Sequence, residues 1–280
     1  MSFEKGEKLN QLQRLLPSGL VVTAKWLDHK GYSSALLHKY VSKGWLEQPA
    51  RGTYRRPAGQ LLWQHVVVSL QTLLETPVVV GGRTALEMHG LSHYVATTGP
   101  REVHLYSDKP LPAWLEKLRL AERMVSHSTK RLFHNTIEFS SGMWSSEEQR
   151  FFEPRAKLPD DLALHSWGQW NWPIVISTPE RAALELLNEV PERETFHQAD
   201  MLLEGLRTLS PRRMQRLLED CHNIKAKRLF LWFADRHQFP WLDELNYEHI
   251  DLGSGKRSLA QGGKLDSKYL ITVPGDMHGD

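Results

Sequence analysis

The hydrophobic pattern opens with an amphipathic helix and a short apolar run. Leucines recur at helical spacing from Glu4 to Leu16 and would form one buried side of that helix. Leu-Val-Val at residues 20–22 follows a Pro-Ser-Gly turn and predicts a short strand. Two more helical segments and two alternating runs complete the first sixty residues, which therefore read as one small unit of helices and strands.

The next two helical segments are short and carry capping residues. Thr23 can cap a helix over residues 24–29, because its hydroxyl can accept a bond from a first-turn N–H. Ser33 or Ser34 can cap a second helix over residues 34–43 in the same way. A glycine follows each segment and suits the left-handed backbone of a helix end. The spacing predicts two helices joined by a tight turn.

The second of these helices has two chemically different faces. Its apolar stripe consists of Leu36, Leu37, Tyr40 and Val41. Its polar face consists of Ser34, His38, Lys39, Ser42 and Lys43. The polar face contains no acidic residue, so it is suited to contact a polyanion.

Two alternating runs after this helix predict a β-hairpin. Residues 45–46 and 53–55 would be its strands, and Pro-Ala-Arg-Gly at 49–52 its turn. Two helices followed by a hairpin are typical of a winged helix-turn-helix, in which the second helix enters the major groove of DNA. The residues predicted to contact bases or phosphates are Ser33, Ser34, His38, Lys39, Ser42, Lys43, Arg51 and Arg55.

Charge favours this interpretation over a helical hairpin with a merely solvated face. Residues 1–60 contain ten lysines and arginines and four acids, a net charge of +6, whereas the whole chain is +2. The other 220 residues therefore carry −4. A basic segment joined to a mildly acidic body is the distribution that phosphate neutralisation requires.

The rest of the chain alternates between helical and strand patterns, which predicts a mixed α/β domain. We divide the chain into a winged domain at 1–59 and a second domain at 60–280, whose first part, 60–76, is a linking helix. The predicted strands are 78–80, 102–107, 131–140, 173–177, 249–252 and 268–273. The predicted helices are 60–75, 85–91, 112–118, 179–190, 195–206, 211–222 and 226–233. The Trp-rich stretch 144–172 matches no pattern.

The composition limits the kinds of functional site that the chain can form. The single cysteine, Cys221, excludes an internal disulfide and a thiolate metal site. The polar N-terminus lacks the apolar core of a signal peptide, and no apolar run is long enough to span a membrane, so we expect a cytoplasmic protein. The fourteen histidines fit no zinc frame. We therefore expect no metal, no cofactor, no catalytic residue and no enzymatic activity.

Two motifs suggest chemistry only superficially. Gly81-Gly82 after an apolar strand could cradle a phosphate, as at the strand-to-helix entry of nucleotidyltransferases. That chemistry needs two close carboxylates for magnesium, and the next strand offers only Glu102. We interpret the glycines as allowing a tight turn and close packing. Asp160-Asp161 lacks the partner of a nuclease carboxylate pair and is interpreted as a loop.

A second basic cluster lies within the acidic body. Its members are Arg212, Arg213, Arg216, Lys225, Lys227 and Arg228. The three arginines follow helical spacing, so they lie near one face of a helix. The cluster is either a second contact for DNA or RNA, or a solvated face balanced by Glu219 and Asp220.

The chain resembles the AbiEi antitoxins of abortive-infection, type IV toxin–antitoxin systems. The resemblance rests on the winged N-terminus, the linking helix, VVVGGRTALEMHGL at 78–91, ISTPERAALELL at 176–187 and GGKLDSKYLITVP at 262–274. It implies that the winged domain binds inverted repeats in the promoter of its own operon and represses transcription. It also implies that the second domain counteracts a nucleotidyltransferase-like toxin, as a functional rather than a stably bound partner.

Two other functions remain open from the residues alone. The body could sense a small ligand and make the chain a plain transcription regulator. It could also process nucleic acid that the winged domain delivers. The expected architecture is α+β in each case: a winged helix-turn-helix domain followed by a mixed α/β domain, which the resemblance makes an antitoxin domain.

Overall fold

The computed structural model describes residues 2–91, 101–139, 144–152 and 158–277, with side chains from residue 7 onward. Helices and strands are both present, in a small N-terminal unit and a larger body built around a five-stranded sheet. This arrangement confirms the predicted α+β class. One set of buried apolar side chains runs through both parts of the molecule.

The N-terminal unit has the predicted order of helices and strands except for the first arm of the wing. Its elements are α1 (Ser2–Leu15), β1 (Val21–Thr23), α2 (Ala24–His29), α3 (Ser34–Ser42) and β2 (Thr53–Arg55). Strands β1 and β2 pair antiparallel, with Val22 opposite Tyr54. The short apolar run after α1 therefore supports the wing, as expected for a winged helix-turn-helix.

Both predicted caps are present. Thr23 Oγ1 accepts a hydrogen bond from Trp26 N at 3.2 Å, and Ser33 Oγ accepts one from Leu36 N at 3.4 Å. Helix α3 buries Leu37 and Tyr40, each no more than 2 % exposed, against the unit's core. Burial of this stripe fixes which face of α3 points to solvent.

The wing differs from the predicted hairpin in its first arm. The N–H groups of Trp45 and Leu46 both donate to Tyr40 O, at 2.9 and 3.2 Å, and so finish the end of α3 rather than forming a strand. Pairing across the wing is limited to an isolated antiparallel bridge between Glu47 and Arg55. The prediction of a strand at residues 45–46 was wrong because the helix end takes the same N–H groups.

A helical segment shorter than predicted joins the winged unit to the body. Helix α4 (Trp63–Val68) continues into one π-helical turn at Ser69–Leu73, within the predicted 60–75. Ser69 Oγ accepts a bond from Val21 N of β1 at 2.7 Å. In the same turn the buried Gln71 amide bonds the backbone of Val78 and Val175 at 2.8–2.9 Å. This turn therefore connects the wing to the sheet.

The body contains the remaining elements. Its strands are β3 (Val79–Val80), β4 (Glu102–Ser107), β5 (Arg123–Ser128), β6 (Trp144–Ser145), β7 (Arg150–Phe151), β8 (Leu162–Trp167), β9 (Trp172–Ser177), β10 (Lys264–Asp266) and β11 (Ile271–Val273). Its helices are α5 (Gly82–Met88), α6 (Pro179–Asn188), α7 (Phe196–Leu203), α8 (Pro211–Asp220) and α9 (Ile224–Arg236). Short 3-10 turns occupy Leu115–Lys117, Thr129–Arg131, Pro240–Glu244 and Tyr247–His249.

The five-stranded sheet has the order β5-β4-β3-β9-β8. The outer pair β4 and β5 is parallel, β3 and β9 are parallel, and the β3–β4 and β8–β9 pairs are antiparallel. Two further antiparallel pairs, β6–β7 and β10–β11, lie outside it. The carboxyl ends of β4 and β5 therefore meet at one edge of the sheet.

Several predicted strands are corrected. Residues 131–140 form no strand where the structure describes them, apart from one bridge between Phe133 and Cys221, and the edge strand is instead β5. Its mostly exposed sequence, RMVSHS, lacks an apolar signal. A 3-10 turn replaces the beginning of the predicted strand 249–252, and only Ile271–Val273 of 268–273 is extended. The Trp-rich stretch contains β6, β7 and β8.

A buried carboxylate joins the two strand-to-helix segments of the body. Glu185 of α6 is fully buried and accepts bonds from Gly82 N at 2.9 Å, Ser177 Oγ at 3.1 Å and Arg181 Nε at 2.9 Å. Its carboxylate fills the space before α5 that a bound phosphate would need. The packing role expected for Gly81-Gly82 thus agrees with the contacts.

Gly81→Ala should destabilise the folded chain by about 2 kcal/mol or more. A Cβ at this position would lie inside the van der Waals radii of Glu185 Oε2 and of the Tyr106 ring, both of which are buried. Neither neighbour can move without breaking buried contacts, so overpacking is costly. Urea unfolding of the full chain measures the loss. Gly275→Ala is the control, because a Cβ there meets no atom within 4 Å. Equal stability of the two variants would contradict the prediction.

His104 should make stability fall in mild acid. Burial, and then the charge of His127, lower the pKa of His104 from 6.5 to about 3. Between these two pKa values the unfolded chain binds a proton that the folded chain does not. The free energy of unfolding therefore falls by about 1.4 kcal/mol for each unit by which the pH is lowered. His104→Gln should flatten that slope in urea titrations between about pH 4.5 and 6. The exposed His134→Gln variant should keep the wild-type slope; a slope unaltered by His104→Gln would refute this assignment.

Candidate nucleic-acid interface

The polar face of α3 lies at the surface of the winged unit, as the sequence predicts. Its side chains and the N-cap are all exposed: Ser33, Ser34, His38, Lys39, Ser42 and Lys43. Arg51 is exposed as well, in the turn of the wing that Gly52 completes with a φ of 78°. A helix face and a wing tip are the two parts of such a unit that meet a DNA duplex.

The cations of this surface have no anionic partner among the residues that the structure describes. Lys39, Lys43 and Arg51 form no ion pair with any described carboxylate. Two hydroxyls are partly engaged, since Ser33 caps α3 and Ser42 donates to Lys39 O at 2.9 Å. The charge of α3 and the wing turn is thus available to an external anion.

Three exposed side chains near this surface were not identified from the sequence. Trp45 is 42 % exposed and packs edge-on against Tyr40, with ring centroids 5.2 Å apart. Lys25 and Lys30 are exposed on and beside α2, and Lys30 lies over the Trp26 ring. Their basic charge was counted in the sequence, but only the fold shows which of the cations stay at the surface.

The assignment of Arg55 as a phosphate contact is wrong. Arg55 is only 6 % exposed, and its Nε lies 2.5 Å from Glu47 Oε2. Its Nη2 donates to Gly59 O at 2.6 Å. The guanidinium therefore holds the wing to the segment that leads into α4. These two contacts, with Glu47 and Gly59, occupy the guanidinium that the sequence had assigned to phosphate.

The predicted second polyanion contact is not one continuous surface. Arg213 pairs with Glu180 at 2.9 Å, and Arg216 pairs with Asp160 at 2.8 Å. Lys225 donates to the carbonyls of Asn188 and Val190, both at 2.7 Å. Of the six residues only Arg212 is exposed without a partner among the described residues.

The other two members of that cluster are buried. Lys227 and Arg228 are each 2 % exposed. Arg228 donates to the carbonyls of Leu252, Gly253 and Gly255 at 2.7–3.1 Å, and so fixes the loop that precedes β10. The six residues therefore do not form one polyanion surface, because two are buried and three more are bound to internal acceptors.

Comparison with known families agrees with this geometry. A family model described as "Transcriptional regulator, AbiEi antitoxin, Type IV TA system" matches residues 100–274. A second, described as "Transcriptional regulator, AbiEi antitoxin N-terminal domain", matches residues 5–97. The chain belongs to the AbiEi antitoxin family. Both parts of the fold are therefore parts of a type IV antitoxin of the transcriptional-regulator class.

A solved structure supports the fold. The AbiEi chain is similar to the RV2827C protein from Mycobacterium tuberculosis, with a TM-score of 0.54 and 15 % identity. The match covers 90 % of this chain and 85 % of the other. At this identity the likeness shows the shared fold alone. No curated protein matches the chain significantly. None of the described helices is long and apolar enough to cross a membrane.

Arg55→Met should destabilise this AbiEi chain by about 1–2 kcal/mol, because the buried guanidinium loses a half-exposed carboxylate partner and a hydrogen bond to Gly59 O. Arg51→Met, in the exposed turn of the same wing, should change the free energy of unfolding by less than about 0.5 kcal/mol. Urea unfolding separates the two effects. A stable Arg55→Met protein would show that the side chain is free after all.

Proposed function

We propose that this antitoxin represses its own operon by binding inverted repeats in the promoter through α3 and the wing. The observation that carries the proposal is the exposed face of α3, which holds Lys39 and Lys43 and no acid. Arg51 extends the same charge to the wing turn. Phosphate contacts from these three cations would position α3, and the shorter side chains of Ser34 and His38 would then face base edges.

Unpaired cations are the physical basis of this assignment. A lysine or arginine that already forms an internal ion pair must give it up to bind phosphate, whereas a free one only releases the counterions of the DNA. Lys39, Lys43 and Arg51 form no ion pair with any carboxylate that the structure describes, so they need not give one up to bind phosphate. Arg55 already pairs with Glu47 and is not part of the proposed interface.

Lys39→Ala combined with Arg51→Ala should weaken binding to a duplex from the upstream promoter. Fluorescence anisotropy over a range of salt concentrations measures the affinity and its salt dependence. Each lost phosphate contact should lower the slope of log K against log salt by about 1. Urea unfolding checks that the double variant is folded.

Arg207→Ala is the control, since Arg207 is an exposed cation of the body. Its affinity and salt slope should equal those of the unaltered chain. Binding of the double variant with an undiminished slope would exclude α3 and the wing as the contact surface. A scrambled duplex of equal length distinguishes specific recognition from general attraction to DNA.

We also propose that the body counteracts a nucleotidyltransferase-like toxin without forming a stable complex and without catalysing a reaction. Family membership supports the antitoxin part of this proposal. The DNA surface that we propose is on the winged unit, so the two proposed activities would use different parts of the chain. Lys39→Ala/Arg51→Ala should therefore still rescue growth when it is co-expressed with the toxin encoded beside it. Loss of rescue by this folded variant would show that neutralisation needs the DNA surface.

Enzymatic processing of nucleic acid is the competing function for the body. Incubation of the purified chain with labelled nucleotide, oligonucleotide and divalent metal tests it directly. Turnover that persists through purification to constant specific activity would replace the non-enzymatic proposal. No labelled product is expected.

A further inference from the structure

A cavity of about 840 Å³ opens beside the edge strand of the body. None of the residues that line it belongs to the proposed DNA interface. It lies where the parallel strands β4 and β5 end, at Ser107 and Ser128. The end of α6 and the first residues of α9 form its other sides. Ligands commonly bind outside the carboxyl ends of strands in such sheets.

Five cations line the cavity and come from five separate parts of the chain: Lys109, Arg131, Arg193, Lys225 and Arg257. Three of them, Lys109, Arg131 and Arg257, are exposed and form no ion pair with a described carboxylate. The ammonium of Lys225 donates to two carbonyls, which leaves one N–H for a further acceptor. The fold thus gathers positive charge that it does not itself neutralise.

The acids of the cavity are mostly engaged with the protein. Asp108 accepts bonds from Thr129 Oγ1 and, at 2.7 Å, from Ile137 N. Glu189 Oε1 lies 3.2 Å from His127 Nδ1, and its Oε2 lies 3.5 Å from Arg193 Nε. Glu192 is the one remaining carboxylate among the described lining residues. The charge offered to a ligand is therefore positive on balance.

One wall of the cavity is rigid. His127 stacks between His104 and Tyr106, with ring centroids 5.1 and 4.6 Å apart. Its Nε2 lies 2.9 Å from His104 Nδ1, while Glu189 holds the other nitrogen. These contacts fix the imidazole without any ligand, so the wall is formed in advance. A preorganised wall lowers the entropy cost of binding.

We propose that this cavity binds a phosphate monoester of a polar organic group, of the size of a nucleoside monophosphate. Several unpaired Lys and Arg side chains suit a group that carries nearly two negative charges at neutral pH better than a single carboxylate. The volume lies in the range of sites for organic ligands and is far larger than a free phosphate ion needs. The polar lining, with Ser126, Ser128 and Asn188, favours a hydroxyl-rich group such as a sugar.

Isothermal titration of the full chain with ribose 5-phosphate, adenosine and cytidine 5′-monophosphates and inorganic phosphate tests the proposal. At least one ester should bind saturably and more tightly than inorganic phosphate. Arg131→Gln combined with Arg257→Gln should weaken that binding by about tenfold or more, since two charge-assisted contacts are lost. Both side chains are exposed, so the variant should fold, and urea unfolding verifies this.

Arg212→Gln is the control, because Arg212 is exposed on α8 and does not line the cavity. Its affinity for the ester should be unchanged. No saturable binding by any ester, or equal binding by the double variant, would overturn the proposal. Inorganic phosphate binding as tightly as every ester would exclude the organic part of the ligand. Saturable binding of a single-stranded oligonucleotide, titrated in the same way, without binding of any ester would identify a nucleic acid and not a small molecule as the ligand.

Discussion

The body depends on one buried carboxylate, Glu185, for the joining of its two helix-entry segments. A buried charge is costly unless it is fully hydrogen-bonded, and Glu185 meets Gly82 N, Ser177 Oγ and Arg181 Nε. Burial raises its pKa, and Arg181 and the Gly82 N–H oppose that rise. These bonds therefore join the start of α5 to α6 across the end of β9. The family phrases at 78–91 and 176–187 meet at this carboxylate, which gives their sequence signal a physical cause.

The π-helical turn at Ser69–Leu73 connects the sheet of the body to the winged unit through hydrogen bonds. Gln71 binds the backbone of Val78, just before β3, and of Val175 in β9, and Ser69 binds the backbone of β1. Both side chains are buried, so neither bond competes with water. Positions 69 and 71 of one turn thus attach the winged unit to the sheet. A π-helical turn changes which side chains face each neighbour, and a regular α-helix over the predicted 60–75 would present different residues.

Local features of the fold could be predicted from the sequence, whereas partners distant in the chain could not. The caps at Thr23 and Ser33 and the apolar stripe of α3 depend on residues within a few positions, and their prediction was confirmed. The edge strand β5 is polar and half-exposed, so it gave no periodic signal. Arg55 was misassigned because its partner, Glu47, is reached only across the wing.

Counting charges in the sequence also ignores partners that are distant in the chain. For this reason the two basic regions of the chain differ in the structure although they look alike in the sequence. In both regions the sequence shows an excess of lysine and arginine, but the fold determines which of them remain free. The guanidinium of Arg228 donates to loop carbonyls. Lys39 and Arg51 are exposed and pair with no carboxylate that the structure describes. A cation contributes to binding an external anion only to the extent that no internal acceptor already stabilises it. Net charge alone therefore overestimates the helix face at Arg212, whereas Lys39, Lys43 and Arg51 of the winged unit remain exposed.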